Sequence, residues 1–434
     1  MRKLVFGLSL VAIALIAVPA MAQEGTFTSD GDVRMRWDYF GNYTDANDDT
    51  QDSYDVWPYR ARLGATGRFT DAVWGRVELQ AAGWWGDGTS SYNYPMPGAS
   101  PSFEGTVNLY QAFVTLDGST WDWQVGRAEK ALGHELVVGD NDFYNGFVFD
   151  GIDVMADFSS VDLRLFWNQI DETFTSREDT WFGGAYLDVE IGKTHLEPYL
   201  LFLKSHDKGA GSFFGEPGEV YTLGLMWQRP MNEERRGWDL SLEAAVQGGE
   251  IGVSGSEADN KGYIFEGWFG WGFGGAGRVH LGYLLASGDD GTDADNDAWI
   301  DLFADPHAYN RLGNLDLFAG GFSNFGANNI VAGNGGMTNV SDINVGYNWW
   351  GGEKHHILAA LHKLDFVEEV QAGTTDTDTG LEFDSEYGYS YADNAKFVVG
   401  FAYLNGGDAL DQLAGGSADS ITRGYAQLHI NWGE

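Results

Sequence analysis

Apolar and polar residues alternate along most of the chain, in segments of about ten residues separated by turn-forming residues. In residues 33–39 the odd positions are apolar or aromatic, and the even positions are Arg34, Arg36 and Asp38. Successive side chains of a β-strand point to opposite faces, so this pattern predicts a strand with one apolar and one polar face. Such segments centre near residues 37, 64, 78, 111, 126, 152, 164, 186, 200, 224, 243, 267, 283, 345, 360, 387, 400 and 427. The chain is therefore predicted to be all-β, with about 18 strands.

The connections between these segments alternate between short and long. The long links span residues 44–56, 85–104, 133–146, 171–180, 206–217, 249–260, 288–340, 368–380 and 405–420. Short turns at one end and long loops at the other are typical of bacterial outer-membrane barrels. We therefore expect a transmembrane antiparallel up-and-down β-barrel with short periplasmic turns and long extracellular loops. A soluble secreted β-sandwich or propeller is the alternative, but its links have no reason to alternate.

The first 22 residues have the pattern of a secretory signal peptide. Arg2 and Lys3 precede an apolar run over residues 4–18, and Ala20-Met21-Ala22 fits the cleavage pattern. An N-terminal membrane anchor is the alternative, but the run is shorter than the ~20 residues that a spanning helix needs. We expect cleavage after Ala22, a barrel over residues 23–434, and localisation in the outer membrane of a Gram-negative bacterium.

Charge and composition narrow the classes of partner and chemistry. Lys+Arg 25 against Asp+Glu 64 gives a formal net charge of −39 over 434 residues. Nucleic acid is not an expected partner, because phosphate binding needs a basic surface. The absence of cysteine excludes disulfides, thiolate metal sites and cysteine nucleophiles. The 61 glycines and 15% aromatic residues agree with many strands joined by tight turns.

Arginine is concentrated on the predicted inner face of the barrel. A charged inner face indicates a water-filled lumen, and arginine in a pore favours anions because guanidinium binds carboxylate or phosphate through paired hydrogen bonds. The candidate pore-lining or solute-binding residues are Arg34, Arg36, Arg60, Arg62, Arg76, Arg127, Arg164, Arg423, Asp153, Glu382 and Asp384. One interpretation is an anion-preferring path. The other is a charge network in which inner-face carboxylates simply neutralise the arginines.

The longest predicted loop, residues 288–340, opens with an acidic run and continues with apolar residues. Its candidate Ca²⁺ ligands are Asp289, Asp293, Asp295 and Asp297, with a solvated acidic surface as the alternative. The apolar residues, among them Trp299, Leu302 and Phe303, indicate that the loop packs against something. We expect it to fold into the pore as a constriction or lid. A subdomain that projects outward is the alternative.

Several short motifs, all in the right order, resemble the alginate export family of outer-membrane porins. They are Val33-Arg34-Met35-Arg36-Trp37, Leu109-Tyr110-Gln111-Ala112-Phe113-Val114, Val125-Gly126-Arg127, Phe149-Asp150-Gly151-Ile152, Ala286-Ser287-Gly288-Asp289-Asp290, Leu302-Phe303-Ala304-Asp305-Pro306-His307 and Gly380-Leu381-Glu382-Phe383-Asp384. The resemblance implies an 18-stranded monomeric porin with an arginine-lined constriction for polyuronate passage. It also implies that this constriction is lined by Arg34, Arg60, Arg127, Arg164 and Arg423.

The predicted function is passive diffusion or export of hydrophilic, anionic or carbohydrate solutes across the outer membrane. No cofactor is expected. The expected partners are the solute, outer-membrane lipid and lipopolysaccharide, and the periplasmic barrel-assembly machinery. An enzyme is disfavoured, because the spacing of His134, His280 and His307 selects no nucleophile, base and orienting group. The alternative is a structural or adhesive barrel, or a general cation-tolerant barrel without a specific solute.

Overall fold

The computed structural model describes residues 25–43, 46, 53–85, 107–142, 146–171, 179–206, 218–252, 257–292, 294–315, 337–369 and 375–433. The predicted signal peptide, residues 1–22, lies outside this part of the chain. Strands of eight residues or more form the wall of the barrel: β1 (Thr26–Gly41), β2 (Pro58–Thr70), β3 (Val73–Trp84), β4 (Asn108–Leu116), β5 (Trp121–Ala128), β6 (Phe149–Asp157), β7 (Val161–Asp171), β8 (Thr180–Ile191), β9 (Thr194–Ser205), β10 (Gly218–Arg229), β11 (Arg236–Ile251), β12 (Tyr263–Phe273), β13 (Arg278–Ala286), β14 (Val340–Gly351), β15 (His355–Phe366), β16 (Asp378–Ala392), β17 (Ala395–Gly406) and β18 (Ile421–Trp432).

A few short elements accompany the wall. The segments Tyr54–Val56 and Ala258–Asp259 extend the strand pairing of β1 and β11. A helix, α1 (Asp408–Leu413), lies in the connection between β17 and β18. In the described ranges, no helix is long and apolar enough to cross a membrane.

The barrel closes between its first and last strands. β1 and β18 run antiparallel, with Gly31 opposite Trp432 and Gly41 opposite Thr422. Every other wall strand pairs with its neighbours in the sequence. Closure leaves no free sheet edge, so the backbone groups of the strands hydrogen bond within the wall, as a hydrocarbon environment requires. The predicted fold, an antiparallel barrel of 18 strands, is confirmed.

The connections alternate as the sequence predicts. The short turns span residues 71–72, 117–120, 158–160, 192–193, 230–235, 274–277, 352–354 and 393–394 and define the short-turn end of the barrel. The longer connections all leave the opposite, long-loop end. Each of the predicted strand centres falls within an observed strand. The periodicity of the sequence therefore locates every wall strand.

The strands bury their polar face and expose their apolar face. In β1, Arg36 is 5% exposed and its neighbour Met35 is 40% exposed. In β2, Arg62 is 7% exposed and Leu63 is 46% exposed. This is the reverse of a sheet in a water-soluble protein, and it suits a barrel with hydrocarbon outside and a polar lumen inside.

Two long connections contribute residues to the interior of the barrel, and we call them the inserted loops: residues 129–142 with 146–148, and residues 294–315. They meet at a parallel bridge between Val138 and Phe303. The Phe303 ring lies 5.1 Å from the ring of Phe149 and 4.7 Å from that of Phe182, both on wall strands. Trp299 is fully buried in the same apolar cluster. Residues 316–336 lie outside the described part, so the role of the whole 288–340 loop stays a prediction.

Candidate functional site

Strand register brings six of the predicted arginines together on neighbouring strands. Arg34 on β1 lies directly opposite Arg60 on β2. We call the group the arginine cluster: Arg34, Arg36, Arg60, Arg62, Arg76 and Arg423 on β1, β2, β3 and β18. Most of these side chains are buried, and Arg423 is 1% exposed. The alternation of each strand turns them inward, as the sequence predicts for these positions.

A loop carboxylate, Asp142, lies at the centre of the arginine cluster. Its Oδ1 accepts hydrogen bonds from Arg60 Nη1 at 2.6 Å and from Arg62 Nη1 at 2.8 Å. Its backbone carbonyl accepts one from Arg34 Nη1 at 2.7 Å. Burial alone would raise the pKa of Asp142, but the guanidinium groups of Arg60, Arg62 and Arg34 outweigh it and lower the pKa below its usual value. Three arginines thus converge on one ionised carboxylate.

The remaining arginines of the cluster are held by carboxylates of the wall. Asp38 contacts Arg36 at 2.9 Å and Arg423 at 3.0 Å. Arg76 binds Asp30 at 2.7 Å and Glu78 at 2.9 Å. This geometry orients the guanidinium groups and also neutralises part of their charge.

A cavity of about 250 Å³ adjoins the arginine cluster. Arg60, Arg62 and Arg76 are its cationic lining residues. Its carboxylates are Asp30, Asp32, Glu78, Glu129, Asp140 and Asp142, so the formal charge of the lining is 3 − 6 = −3 with His429 neutral. The cavity is strongly polar, and its arginines and carboxylates compete for any charged solute.

Arg164 and Asp153 form a separate group with Lys130, which the sequence did not single out. Lys130 Nζ lies 2.5 Å and 2.6 Å from the two carboxylate oxygens of Asp153, and Arg164 Nε lies 2.8 Å from one of them. Burial lowers the pKa of Lys130, and the charge of Arg164 adds to that effect, while the ion pair with Asp153 opposes it. Lys130 is 3% exposed and contacts the face of Phe166, 4.6 Å from its centroid. This group fixes the start of an inserted loop to the wall.

The prediction that Arg127 lines the pore is corrected by the structure, in which this residue does not face the lumen. It continues the outward series of β5, in which Trp123 and Val125 are 47% and 49% exposed. Its Nε donates to Asp150 Oδ1 at 2.8 Å on the neighbouring strand β6. Asp150 precedes Ile152, which is on the same outward face and 44% exposed. The strand keeps its alternation through Gly126, so the arginine ends on the outer face.

Glu382 and Asp384 point inward but bind an inserted loop rather than the arginine cluster. Both are fully buried. The backbone N–H of Asn314 donates to Glu382 Oε1 and to Asp384 Oδ2, each at 2.9 Å. The carbonyl of Asn314 accepts a hydrogen bond from Arg423 Nη1 at 2.7 Å. Asn314 therefore links these carboxylates to the edge of the arginine cluster.

The predicted Ca²⁺ ligands do not form a compact group in the part of the chain that is described. Asp295 pairs with Lys261, and Asp289 Oδ1 accepts the backbone N–H of Gly291 at 3.0 Å. The Ser287 hydroxyl donates a hydrogen bond to the backbone carbonyl of Asp297. Asp293 lies outside the described residues. Close groups of potential ligands occur elsewhere among the described residues: Glu135, Asp140 and Asp305, and Asp188, His195 and Glu197.

Residues 31–422 match the sequence model of a family described as alginate export. The chain belongs to the alginate export family. No curated protein sequence matches it. In structure it is similar to Acinetobacter baumannii OccAB3 (10% identity, TM-score 0.62, 94% of this chain and 99% of that one), to a BenF-like porin from Pseudomonas fluorescens Pf-5 (12%, 0.60, 95% and 99%) and to Pseudomonas aeruginosa OccK2 (OpdF) in complex with glucuronate (14%, 0.60, 93% and 97%).

At these low identities the structural likeness shows a shared fold. Family and fold together make this alginate export family member an outer-membrane β-barrel of the porin type. The family and the fold are typical of a channel rather than of an enzyme.

Proposed function

We propose that this barrel carries anionic carbohydrate solutes, uronates in particular, across the outer membrane by passive diffusion or export through its arginine-lined interior. The observation that carries the proposal is the convergence of Arg34, Arg60 and Arg62 on Asp142. A uronate offers the same carboxylate, so it can exchange with Asp142 on the same guanidinium groups.

The family assignment supports this solute class. Alginate is a polyuronate, and the family is described by its export. The OccK2 structure contains glucuronate, a single uronate, in a barrel of the same fold. The carboxylates beside the arginines keep binding weak, which lets a solute leave as well as enter.

A second candidate function is a general channel that tolerates cations and has no specific solute. The lining of the 250 Å³ cavity favours it, because its carboxylates outnumber its arginines by six to three. A structural or adhesive barrel is the further alternative, supported by the apolar packing of the inserted loops against the wall. As partners of the protein we also propose outer-membrane lipid and lipopolysaccharide on the apolar outer face, and the periplasmic barrel-assembly machinery during biogenesis.

Uptake of labelled glucuronate by proteoliposomes tests the proposal. Replacing Arg60 and Arg62 together by glutamine should slow glucuronate entry by about tenfold, the effect of losing roughly one charge-assisted hydrogen bond. Uptake of uncharged glucose should change little. Arg127→Gln is the control, since it makes the same type of substitution at an arginine of the outer face. Equal glucuronate uptake by the parent and the Arg60/Arg62 variant would contradict the proposal.

A further inference from the structure

A second, larger cavity lies toward the short-turn end of the barrel. It has a volume of about 610 Å³ and shares no lining residue with the cavity beside the arginine cluster. Its walls come from β10 to β15 and from the turn at residues 230–235. His134 and Tyr309 of the two inserted loops complete the lining, with their rings 4.5 Å apart. In outer-membrane barrels the short turns face the periplasm, so this cavity lies on the periplasmic side of the inserted loops.

The lining is rich in aromatic rings. Trp268, Trp350 and Tyr309 all contribute to it. Aromatic faces pack well against the C–H faces of a sugar ring or against another flat ring, while the polar edge of the ligand still needs hydrogen-bond partners. The shape and chemistry of the lining therefore suit a ring.

Two ring N–H groups of this lining have no hydrogen-bond partner among the described residues: Trp268 Nε1 and His280 Nε2. The two rings lie 5.2 Å apart, and the residues are 8% and 4% exposed. Asn348 lies 3.3 Å from His280 Nδ1 through its amide nitrogen and 3.1 Å from His356 Nε2 through its oxygen. The amide nitrogen can only donate, so Nδ1 accepts and neutral His280 carries its hydrogen on Nε2. Both unpartnered groups are then donors, which suit hydroxyl or carboxylate oxygens.

The cavity also contains one cationic group that no carboxylate of the described residues neutralises. Arg235 lines it and has no ion-pair partner among the described residues, unlike every arginine of the arginine cluster. Arg229 also borders the cavity, but its guanidinium lies over the ring of the outward-facing Trp238, 3.6 Å from its centroid, and its Nη1 donates to the Trp238 carbonyl at 2.8 Å. Asp239 is the one carboxylate of the lining as described, and Arg278 already binds it through two hydrogen bonds of 2.6 Å and 3.0 Å. The Arg235 guanidinium lies over the ring of Trp350, 4.4 Å from its centroid. A cation and an aromatic face are thus adjacent at one wall.

We infer that this cavity is a second solute-binding site, which holds a uronate with its sugar ring against Trp350 and Trp268 and its carboxylate toward Arg235. The choice of a uronate rests on the proposed function, whereas the location rests on the cavity itself. A solute leaving the periplasm would meet this site before the inserted loops.

Isothermal titration calorimetry of the purified full-length barrel with D-glucuronate tests the inference. The Arg60→Gln/Arg62→Gln protein is the background, so that the two arginines assigned to solute binding in the arginine cluster do not contribute to the signal. In that background, Trp350→Leu and Arg235→Gln should each weaken glucuronate binding by about tenfold. Trp349→Leu is the control, since Trp349 is the adjacent residue on the outward face and loses the same ring. Glucose, which lacks the carboxylate, and acetate, which lacks the ring, should bind at least about tenfold more weakly than glucuronate.

Three results would overturn the inference. The first is no glucuronate binding in the background protein, and the second is binding that neither Trp350→Leu nor Arg235→Gln weakens. The third is tighter binding of benzoate than of glucuronate, which would mark a site for aromatic acids. Arg235 is exposed, so the Arg235→Gln barrel should still fold and can be tested even if the Trp350→Leu barrel does not assemble. Failure here is separate from failure of the proposed function, which is decided by uptake in the Arg60/Arg62 variant and does not involve Trp350 or Arg235.

Discussion

Asp142 places its Oδ1 atom 2.6 Å from Nη1 of Arg60, although the two residues are 82 positions apart in the chain. The aspartate belongs to an inserted loop and the arginine to β2. The barrel thus supplies its own carboxylate to the arginines that a carboxylated solute would need. This intramolecular contact makes Asp142 the natural competitor of an anionic solute.

Asp142→Asn should strengthen the interaction of the lumen with uronates. The substitution removes the internal carboxylate and leaves Arg60 and Arg62 available, so block of single-channel current by uronate oligomers should occur at about tenfold lower concentration. Asp150→Asn is the control, because Asp150 pairs with Arg127 on the outer face. Block at the same concentration in parent and Asp142→Asn would mean that Asp142 does not compete with the solute.

Arg311 should hold the second inserted loop inside the barrel. Its side chain is fully buried, binds both oxygens of Glu266 at 2.5 Å and 2.9 Å, and donates to the carbonyls of Asp305 and His134 at 2.7 Å and 2.9 Å. Arg311→Met leaves Glu266 buried without its partner, which costs about 3–5 kcal/mol. Single-channel conductance should rise and become noisier as the loop leaves the lumen.

The paired variant Arg311→Met/Glu266→Met separates charge from packing. It removes both ions of the buried pair, so most of the lost stability should return, because a buried ion pair can be replaced by apolar groups at little cost. Conductance of the double variant should approach that of the parent. If the double variant is as noisy as Arg311→Met alone, the ion pair is not what holds the loop.

Insertion of the loops should weaken as the pH rises toward neutrality. Burial, and then the charges of Asp140 and Asp305, raise the pKa of Glu135 to about 7 from its usual value of 4.5. Between these two pH values, Glu135 is protonated when the loops are inserted and ionised when they are released. This stabilisation of the inserted state is fully present below about pH 4.5 and is lost as the pH rises through about 7. Hydrogen–deuterium exchange measures this as protection factors, which are corrected for the pH dependence of intrinsic amide exchange, and those of peptides from residues 129–142 and 294–315 should fall over this range.

Glu135→Gln provides the control for this pH dependence. Glutamine keeps the size of the side chain and cannot titrate, so the protection factors of the two inserted loops should become nearly independent of pH over the same range. The same slope in parent and variant would assign the effect to another group, such as Asp140, whose pKa burial also raises.

The sequence predicts the wall of this barrel well and its interior poorly, for a physical reason. Alternation with a period of two is set by the strand itself, so it places Arg34, Arg36 and Arg60 on the inner face without knowledge of the fold. Arg127 shows the limit of residue type as a guide. A strict count from Trp123 and Val125 puts it outside, where a strand-end arginine can pair with Asp150.

Contacts made by the inserted loops had no sequence signal. Asp142, Lys130 and Arg311 lie in segments without periodicity, and their partners are fixed only when the barrel closes around them. Asp142 is 80 residues from Arg62, and Arg311 is 45 residues from Glu266. The apolar residues of the 288–340 loop indicated packing, but they could not identify which buried ion pair anchors it.

The reversal potential of the purified barrel in a planar bilayer under a salt gradient tests the central claim most directly. The claim is that arginines, rather than the more numerous carboxylates, control which ions pass. The account predicts an anion-selective channel whose selectivity falls in the Arg60→Gln/Arg62→Gln variant and persists in Arg127→Gln. Cation selectivity of the parent protein, or selectivity that the Arg60/Arg62 variant leaves unchanged, would contradict it.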